Sequence, residues 1–298
     1  MRTNRVFTFR ERSSAIKLLI LNRLSLFYFK LFRPKAIWLI RDGGIGDAIM
    51  STIAIVEFQK AYPKTQIYLV TNTPTIFAGF DLNIVETPKF PMISLTYGHY
   101  DLLLFKGRVK HIKAIIGETL GLQIQESDGY RLFINQDGFL QKNAIVPKTY
   151  VVIQPDASSW FKEKNWSIIQ WNVLVERLRE RSIQVHQIGA FDDALVKGCI
   201  DWRGKSSIVE SLTLVKNAKL LIGVNSFGEQ SAAAFGVPAL VLYGPTNPSY
   251  SLNQGQIALC SSGSFDYESL KSIKYHFSNV SEISVDQVMD QALSILNR

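Results

Sequence analysis

The sequence has few cysteines, few histidines and no uninterrupted long apolar run. Its two cysteines, Cys199 and Cys260, stand far apart with no CxxC spacing. That excludes a disulfide framework and a zinc module, and fits a reducing compartment. No D-x-D motif occurs, and Asp192-Asp193 reads as a solvated pair, so the expectation is no metal and no cofactor. No repeat or low-complexity segment interrupts the chain. Charged residues make up 19% and hydrophobic residues 47%, which is the balance of a globular protein. The length allows two domains. A formal charge of +8 favours anionic partners without choosing among them. No motif of nucleic-acid recognition accompanies that charge, so nucleic acid is not expected as a partner.

The basic residues concentrate at the start. Residues 1–35 carry Arg2, Arg5, Arg10, Arg12, Lys17, Arg23, Lys30, Arg33 and Lys35 against the single acid Glu11. The segment Ile16-Lys-Leu-Leu-Ile-Leu-Asn-Arg-Leu-Ser-Leu-Phe-Tyr-Phe-Lys-Leu-Phe32 is apolar, but Lys17, Arg23 and Lys30 break it. It falls short of the roughly 20 apolar residues that cross a bilayer. No small-residue cleavage site follows, so no signal peptide is expected. Two readings stand. One is an amphipathic helix on the anionic, cytoplasmic face of the membrane, removable without unfolding the rest. The other is a helix packed on the protein's own surface, or an oligomer contact.

From Pro34 onward strands and helices alternate, the pattern of a mostly parallel sheet. Ile37–Arg41, Gln66–Val70, Ile84–Val85 and Asp101–Phe105 read as strands, with helices over 47–61 and 109–120. The polar stretch 136–148 reads as a linker. Strands at Tyr150–Gln154, Gln184–Ile188, Leu220–Val224 and Ala239–Tyr243 then alternate with helices over 167–181, 207–217 and 229–235, and a final helix covers 286–296. The predicted organisation is α/β: a basic segment 1–35, a Rossmann-like half 36–148 and a second Rossmann-like half 149–298. Ligands bind such folds at the carboxyl ends of the strands.

Three segments carry chemistry. Asp42-Gly-Gly-Ile-Gly-Asp47 lies between a strand and a helix, where Gly44 and Gly46 allow close backbone approach. The third glycine of a dinucleotide fingerprint is missing, and no acidic residue ends the next strand, which argues against a dehydrogenase. Asp47 reads either as a cleft-facing carboxylate or as an acid complementing the helix dipole, worth about 0.3–1 kcal/mol. The second segment, 154–166, offers Ser158 and Ser159 hydroxyls and the Lys162 and Lys164 ammonium groups to a diphosphate. A solvated surface pair is the other reading of those lysines, and Trp166 reads as core. The third segment, 223–246, runs strand, polar turn, small-residue helix, strand and Gly244-Pro-Thr246, with Asn225 and Ser226 as natural helix caps.

Taken in order, Gly44-Ile-Gly-Asp47, then Pro155, Ser158 and Lys164-Asn-Trp166, then Asn225-Ser-Phe-Gly-Glu-Gln230 through Pro238, and Gly244-Pro-Thr246 resemble the motifs of family 9 glycosyltransferases. The resemblance runs from about residue 37 to the last helix and leaves residues 1–35 outside. It implies a GT-B fold, two Rossmann-like domains facing a central cleft, and an inverting, metal-independent transferase. A nucleotide-sugar donor, with ADP-heptose a candidate, would sit in the second half. The acceptor would be a hydroxyl of lipopolysaccharide or another surface glycan or glycolipid. Asp47 would be the general base, and Gly44 and Gly46 would shape the acceptor loop. Ser158, Ser159, Lys162, Lys164, Asn225, Ser226, Phe227, Gly228, Gln230, Gly244 and Thr246 would line the donor site. Asn225 stands where the family has Asp, Phe227 where it has Gly, Gln230 where it has His, and Asp156 where it has Gly. Those departures keep a second function open, a catalytically degenerate subunit that binds or scaffolds in glycan assembly.

Overall fold

The structure is a computed structural model. It describes residues 9–97, 110–125, 127–134, 137–157, 164–244, 246–261, 263–266 and 279–297. The strand expected at Asp101–Phe105 lies outside them. The chain forms two compact units. One comprises Met1–Gly43 and Ser51–Asp128, the other Gly44–Met50 and Gly129–Arg298.

The first unit holds helix α1 (Phe9–Phe32), strand β1 (Ala36–Arg41), most of helix α2 (Ile45–Ala61), strands β2 (Gln66–Thr71), β3 (Asn83–Ile84) and β4 (Met92–Ser94), and helix α3 (Ile112–Thr119). Its four strands are parallel in the order β3-β2-β1-β4. β1 alternates as a pleated strand must. Ile37 and Leu39 are buried on one face, while Trp38 stacks on its registered partner Tyr68 at 4.8 Å on the other.

α1 packs on this unit. Phe29 is wholly buried, with its ring 5.3 Å from Phe58 and 5.0 Å from Tyr62. The Asn22 amide donates to the Ser94 carbonyl at 2.8 Å and accepts from the Ser94 N–H at 2.9 Å. A side chain thus covers backbone groups of the edge strand β4. The segment expected to come away freely therefore closes part of this unit's core. Asn22, Ser25 and Phe29 face inward; Ile16, Ile20, Leu24, Phe27 and Leu31 face out, each 45–66% exposed.

The second unit contains helix α4 (Asp137–Lys142), β5 (Tyr150–Gln154), α5 (Ile168–Glu180), β6 (Gln184–Gln187), β7 (Ile200–Asp201), α6 (Ile208–Asn217), β8 (Leu220–Val224), α7 (Phe227–Phe235), β9 (Ala239–Leu242), β10 (Gln256–Cys260), β11 (Gly263–Asp266) and α8 (Val285–Leu296). The sheet order is β11-β10-β9-β8-β5-β6-β7, parallel except for β11. Both faces are covered, which is why β5, β8 and β9 are continuous apolar runs. Val151, Ile153, Leu220 and Ile222 meet Trp171 and Leu174 of α5 and Val288 and Ala292 of α8 on one face. Tyr150, Val152, Leu221 and Val241 meet Leu214 of α6 and Ala232 of α7 on the other.

Residues 137–145, read as linker, join this second core: Phe139, Leu140 and Ile145 are buried there. Ser207 with Glu210 and Ser284 with Gln287 form capping boxes that start α6 and α8.

Candidate active site

In the second sheet, successive strands leave β5 in one direction through β6 and β7. The chain then returns to place β8, β9 and β10 on the other side. The reversal falls between β5 and β8, the topological switch point at which open α/β sheets bind ligands. Gln154 ends β5 and Val224 ends β8, so the segments following them, 155–157 and 225–229, start from the same carboxyl end of the sheet.

Glycine allows a close approach of side chains there. A β-carbon on Gly228 would lie 2.8 Å from Gln154 Oε1 and 3.1 Å from Leu221 Cδ1. The Gly228 N–H instead donates to Gln154 Oε1 at 2.5 Å, and Gln154 Nε2 donates to Ser226 Oγ at 3.4 Å. Asn225 and Ser226 were the expected caps of α7. Ser226 holds the N-cap position, yet its side chain makes no cap hydrogen bond. A strand-end glutamine that sequence reading passed over takes an amide of the first turn.

Beside it lies a buried polar chain. Lys164 Nζ donates to Asn225 Oδ1 at 2.9 Å. Asn225 Nδ2 donates to Glu229 Oε2 at 2.6 Å and to Ser251 Oγ at 2.9 Å. The Tyr243 hydroxyl donates to Glu229 Oε1 at 2.5 Å and lies 2.9 Å from Ser251 Oγ. Glu229 is wholly buried, and that burial pushes its carboxyl up to about 7 against the lowering influence of Tyr243, Asn225 and the Lys164 charge. Burial pulls the Lys164 ammonium down, opposed by the carboxylates of Glu229 and Asp47. The Tyr243 hydroxyl is pushed well up, by burial first and the Glu229 charge next.

Glu229, Tyr243 and Ser251 were not singled out from sequence. The available signal was an acid inside the Ala-rich, buried stretch of α7, four residues after Asn225 and so on the same helix side.

Asp47 is the third residue of α2. Its Oδ2 lies 3.3 Å from where a β-carbon on Gly44 would be, so the carboxylate folds back over the helix start. Gly43, at φ +122°, makes the turn before it. The turn Gly44–Met50 groups with the second unit: a β-carbon on Gly46 would stand 3.5 Å from Phe227 Cα and 3.5 Å from Gln230 Cγ. Asp47, Lys164, Asn225, Phe227 and Gly228 are thereby brought into one neighbourhood.

Gln230 is buried and turned to the following loop, accepting from Asn253 Nδ2 at 3.2 Å and donating to the Ser251 carbonyl at 3.4 Å. Gly244 is buried after β9, and Thr246 is half-buried. Ser158, Ser159 and Lys162 lie outside the described residues.

Asp156 accepts from Asn165 Nδ2 at 2.7 Å and from the Ala194 N–H at 3.2 Å, tying its segment to the 190–194 turn. Asp193, read as solvated, caps that turn by accepting from the Ala190 N–H at 2.7 Å. Trp166 is core as expected, its indole N–H donating to the Ile283 carbonyl at 2.9 Å. Among the described residues no group of three or more His, Cys, Asp or Glu side chains is placed to hold a metal.

Comparison with known proteins fits this geometry. Three solved structures illustrate the likeness. The glycosyl transferase family 9 protein of Veillonella parvula is 17% identical, with 88% of this chain and 97% of that one covered at a TM-score of 0.66. The Escherichia coli ADP-heptose lps heptosyltransferase II is 15% identical, covering 88% and 98% at 0.64. The dodecameric iron-containing heptosyltransferase TibC of enterotoxigenic E. coli, solved with ADP-D-β-D-heptose, is 15% identical, covering 88% and 76% at 0.64. At such identities these matches establish the fold, the expected two-part α/β architecture of GT-B type. No curated protein matches the sequence at a significant level. The profile of glycosyltransferase family 9 (heptosyltransferase) matches residues 105–274, more than half of the chain. With the strand order, the switch-point site and that match in agreement, the chain belongs to glycosyltransferase family 9 and is a glycosyltransferase.

Proposed function

We propose that the protein transfers a sugar, with inversion and without a metal, from a nucleotide-sugar donor to a hydroxyl of lipopolysaccharide or another surface glycan or glycolipid. The observation that carries the reading is the meeting of Lys164 and Asn225 at the β5/β8 switch point, with the turn bearing Asp47 beside Phe227 and Gln230. In this reading Asp47 takes the proton of the acceptor hydroxyl as that oxygen attacks the anomeric carbon. The bond from that carbon to the diphosphate breaks, and charge builds on the leaving phosphate. Lys164 supplies a fixed positive charge there, the role a divalent cation fills in other transferases. Gly44 and Gly46 leave room for the acceptor, and Ser158, Ser159, Lys162, Ser226, Phe227, Gly228, Gly244 and Thr246 complete the donor site.

The heptosyltransferase TibC was solved with ADP-D-β-D-heptose, which makes ADP-heptose the first donor to try. Activity that survives chelation supports the metal-independent step; activity lost on chelation and restored by iron overturns it. The exposed stripe Ile16, Ile20, Leu24, Phe27 and Leu31, next to exposed Lys17, Arg23 and Lys30, supports docking on an anionic membrane face at the cytoplasmic side.

A non-catalytic binding or scaffolding subunit is the second reading. It is favoured by Asn225 and Gln230 committing their amide groups to Glu229, Ser251 and Asn253. A thermal-shift panel of ADP-, GDP-, UDP- and CMP-sugars decides, because selective binding stabilises the fold by mass action. A shift with one donor, followed by transfer to a glycan acceptor, supports the transferase. No shift across the panel favours the subunit.

A further inference from the structure

Asn225 stands between the half-buried Lys164 ammonium and the wholly buried Glu229 carboxylate, and its amide can be oriented on chemical grounds. Glu229 Oε2 and Ser251 Oγ both lie within hydrogen-bond distance of one end of that amide. A carboxylate accepts and does not donate, so the end facing Glu229 is the NH2. The Ser251 hydroxyl accepts the second N–H. The Tyr243 proton goes to Glu229 Oε1, which leaves the Ser251 proton to donate to the Tyr243 oxygen. With every hydrogen placed, only the carbonyl end of Asn225 remains for Lys164 Nζ.

We propose that Glu229 is a positioning residue for Lys164: its carboxylate turns the Asn225 amide so that Oδ1 meets the Lys164 ammonium, and it supplies that ammonium's counter-charge from one helical turn away. The proposal rests on the reading of Lys164 as the cation that meets the donor diphosphate, and it says what holds that cation in place and charged. A lone ammonium in such surroundings sheds its proton, and a carboxylate in direct contact would compete with the phosphate for it. Placing a neutral amide between them keeps the counter-charge near without a direct carboxylate–ammonium contact.

Among the described residues, the groups facing Glu229 from neighbouring elements are Tyr243 at the end of β9, Ser251 in the following loop, Asn225 before α7 and Lys164 before α5. Cys260 of β10 acts on Tyr243, and Asp47 acts on Lys164. Burial lifts Glu229 to about 7, so the carboxylate is present above neutral pH, where Lys164 must stay protonated.

The test is the pH dependence of Lys164 acylation by acetic anhydride in the full-length protein, read by peptide mass spectrometry. It needs no substrate. Glu229→Gln is expected to move the Lys164 labelling curve to lower pH by roughly one unit. The double variant Asn225→Asp with Glu229→Gln, which returns a carboxylate to the lysine, should move the curve back. Tyr243→Phe removes a donor that favours ionised Glu229 and should give a smaller shift in the first direction; it decides the matter if Glu229→Gln does not fold. A labelling curve unmoved in the folded variants overturns the proposal. Donor kinetics separate this from the functional reading. A shifted curve in a protein that transfers no sugar sinks the transferase and leaves the positioning role. An unshifted curve with intact transfer sinks the positioning role alone.

Discussion

Asp47 sits where two roles overlap, because a carboxylate in the first turn of a helix both complements the dipole and can accept a proton. The roles separate by substitution. Asp47→Asn keeps the shape and much of the cap, so the fold and donor affinity should stay nearly unchanged. The rate of transfer should fall roughly 100- to 10,000-fold, and steady-state kinetics that retain the rate would remove Asp47 as the base. Lys164→Ala acts on the other side of the reaction. It deletes a charged hydrogen-bond donor and should weaken donor binding roughly 10- to 100-fold. Calorimetry with the nucleotide diphosphate checks this, and an unchanged affinity counts against the phosphate role. At this scale the sequence singled out Asp47, Lys164 and Asn225, because each lies in a motif that follows a strand. It passed over Glu229, Tyr243, Ser251 and Gln154, whose significance is a set of distances across 4 to 74 positions of chain.

Among the elements, α1 carries two opposite demands on one helix. Its inner face supplies Phe29 to the first core and Asn22 to the edge of β4, while Ile16, Ile20, Leu24, Phe27, Leu31 and Phe32 are left in water. Removing residues 1–35 should therefore do more than test the proposed lipid contact. It takes Phe29 away from Phe58 and Tyr62 and unpairs both Ser94 backbone groups, and the truncated chain should be destabilised by several kcal/mol or insoluble. A truncated chain with an unchanged thermal midpoint would refute that packing role.

Replacing Leu24, Phe27 and Leu31 together with Ser tests the outer face by itself. Sedimentation with anionic vesicles should drop while the thermal midpoint stays within a few degrees. Equal sedimentation of both proteins would point to another surface. Among the described residues no helix is long and apolar enough to cross a membrane. From sequence alone the readings of this segment were alternatives. A helix has two faces: the structure packs the inner one on the first core and leaves the outer one exposed, the face on which the proposed membrane docking would fall.

For the whole molecule, the pH dependence of stability combines opposed contributions in the second unit. His186 is wholly buried, with Trp202 Nε1 donating to its Nδ1 at 2.9 Å and Gln184 Oε1 accepting from its Nε2 at 3.1 Å. Burial lowers its pKa from 6.5 to about 4. Between those values the unfolded chain binds the extra proton, so this contribution is present above pH 6.5 and is lost as the pH falls through 4. Asp201, held low by hydrogen bonds from Arg203 and Lys205, adds in the same direction at still lower pH. Glu229, raised from 4.5 to about 7, has the opposite sign: its contribution is lost as the pH rises through 7. The thermal midpoint of His186→Gln relative to the native protein should therefore rise on acidification from pH 6.5 to 4. A pH-independent difference would show that His186 is already protonated in the fold.

The sequence by itself determined the α/β alternation, most strands and helices from Ala36 to Leu296, and the family. These are local properties, written in apolar runs, periods and short motifs within a few residues of one another. Only the tertiary structure decided that residues 137–145 belong to a core, that β10 and β11 extend the second sheet, and that α1 is docked as well as exposed. It alone also joined Lys164 to Glu229 through Asn225. Those facts depend on which side chains meet after the chain has turned back on itself, and a buried charge finds its partner in space rather than in sequence.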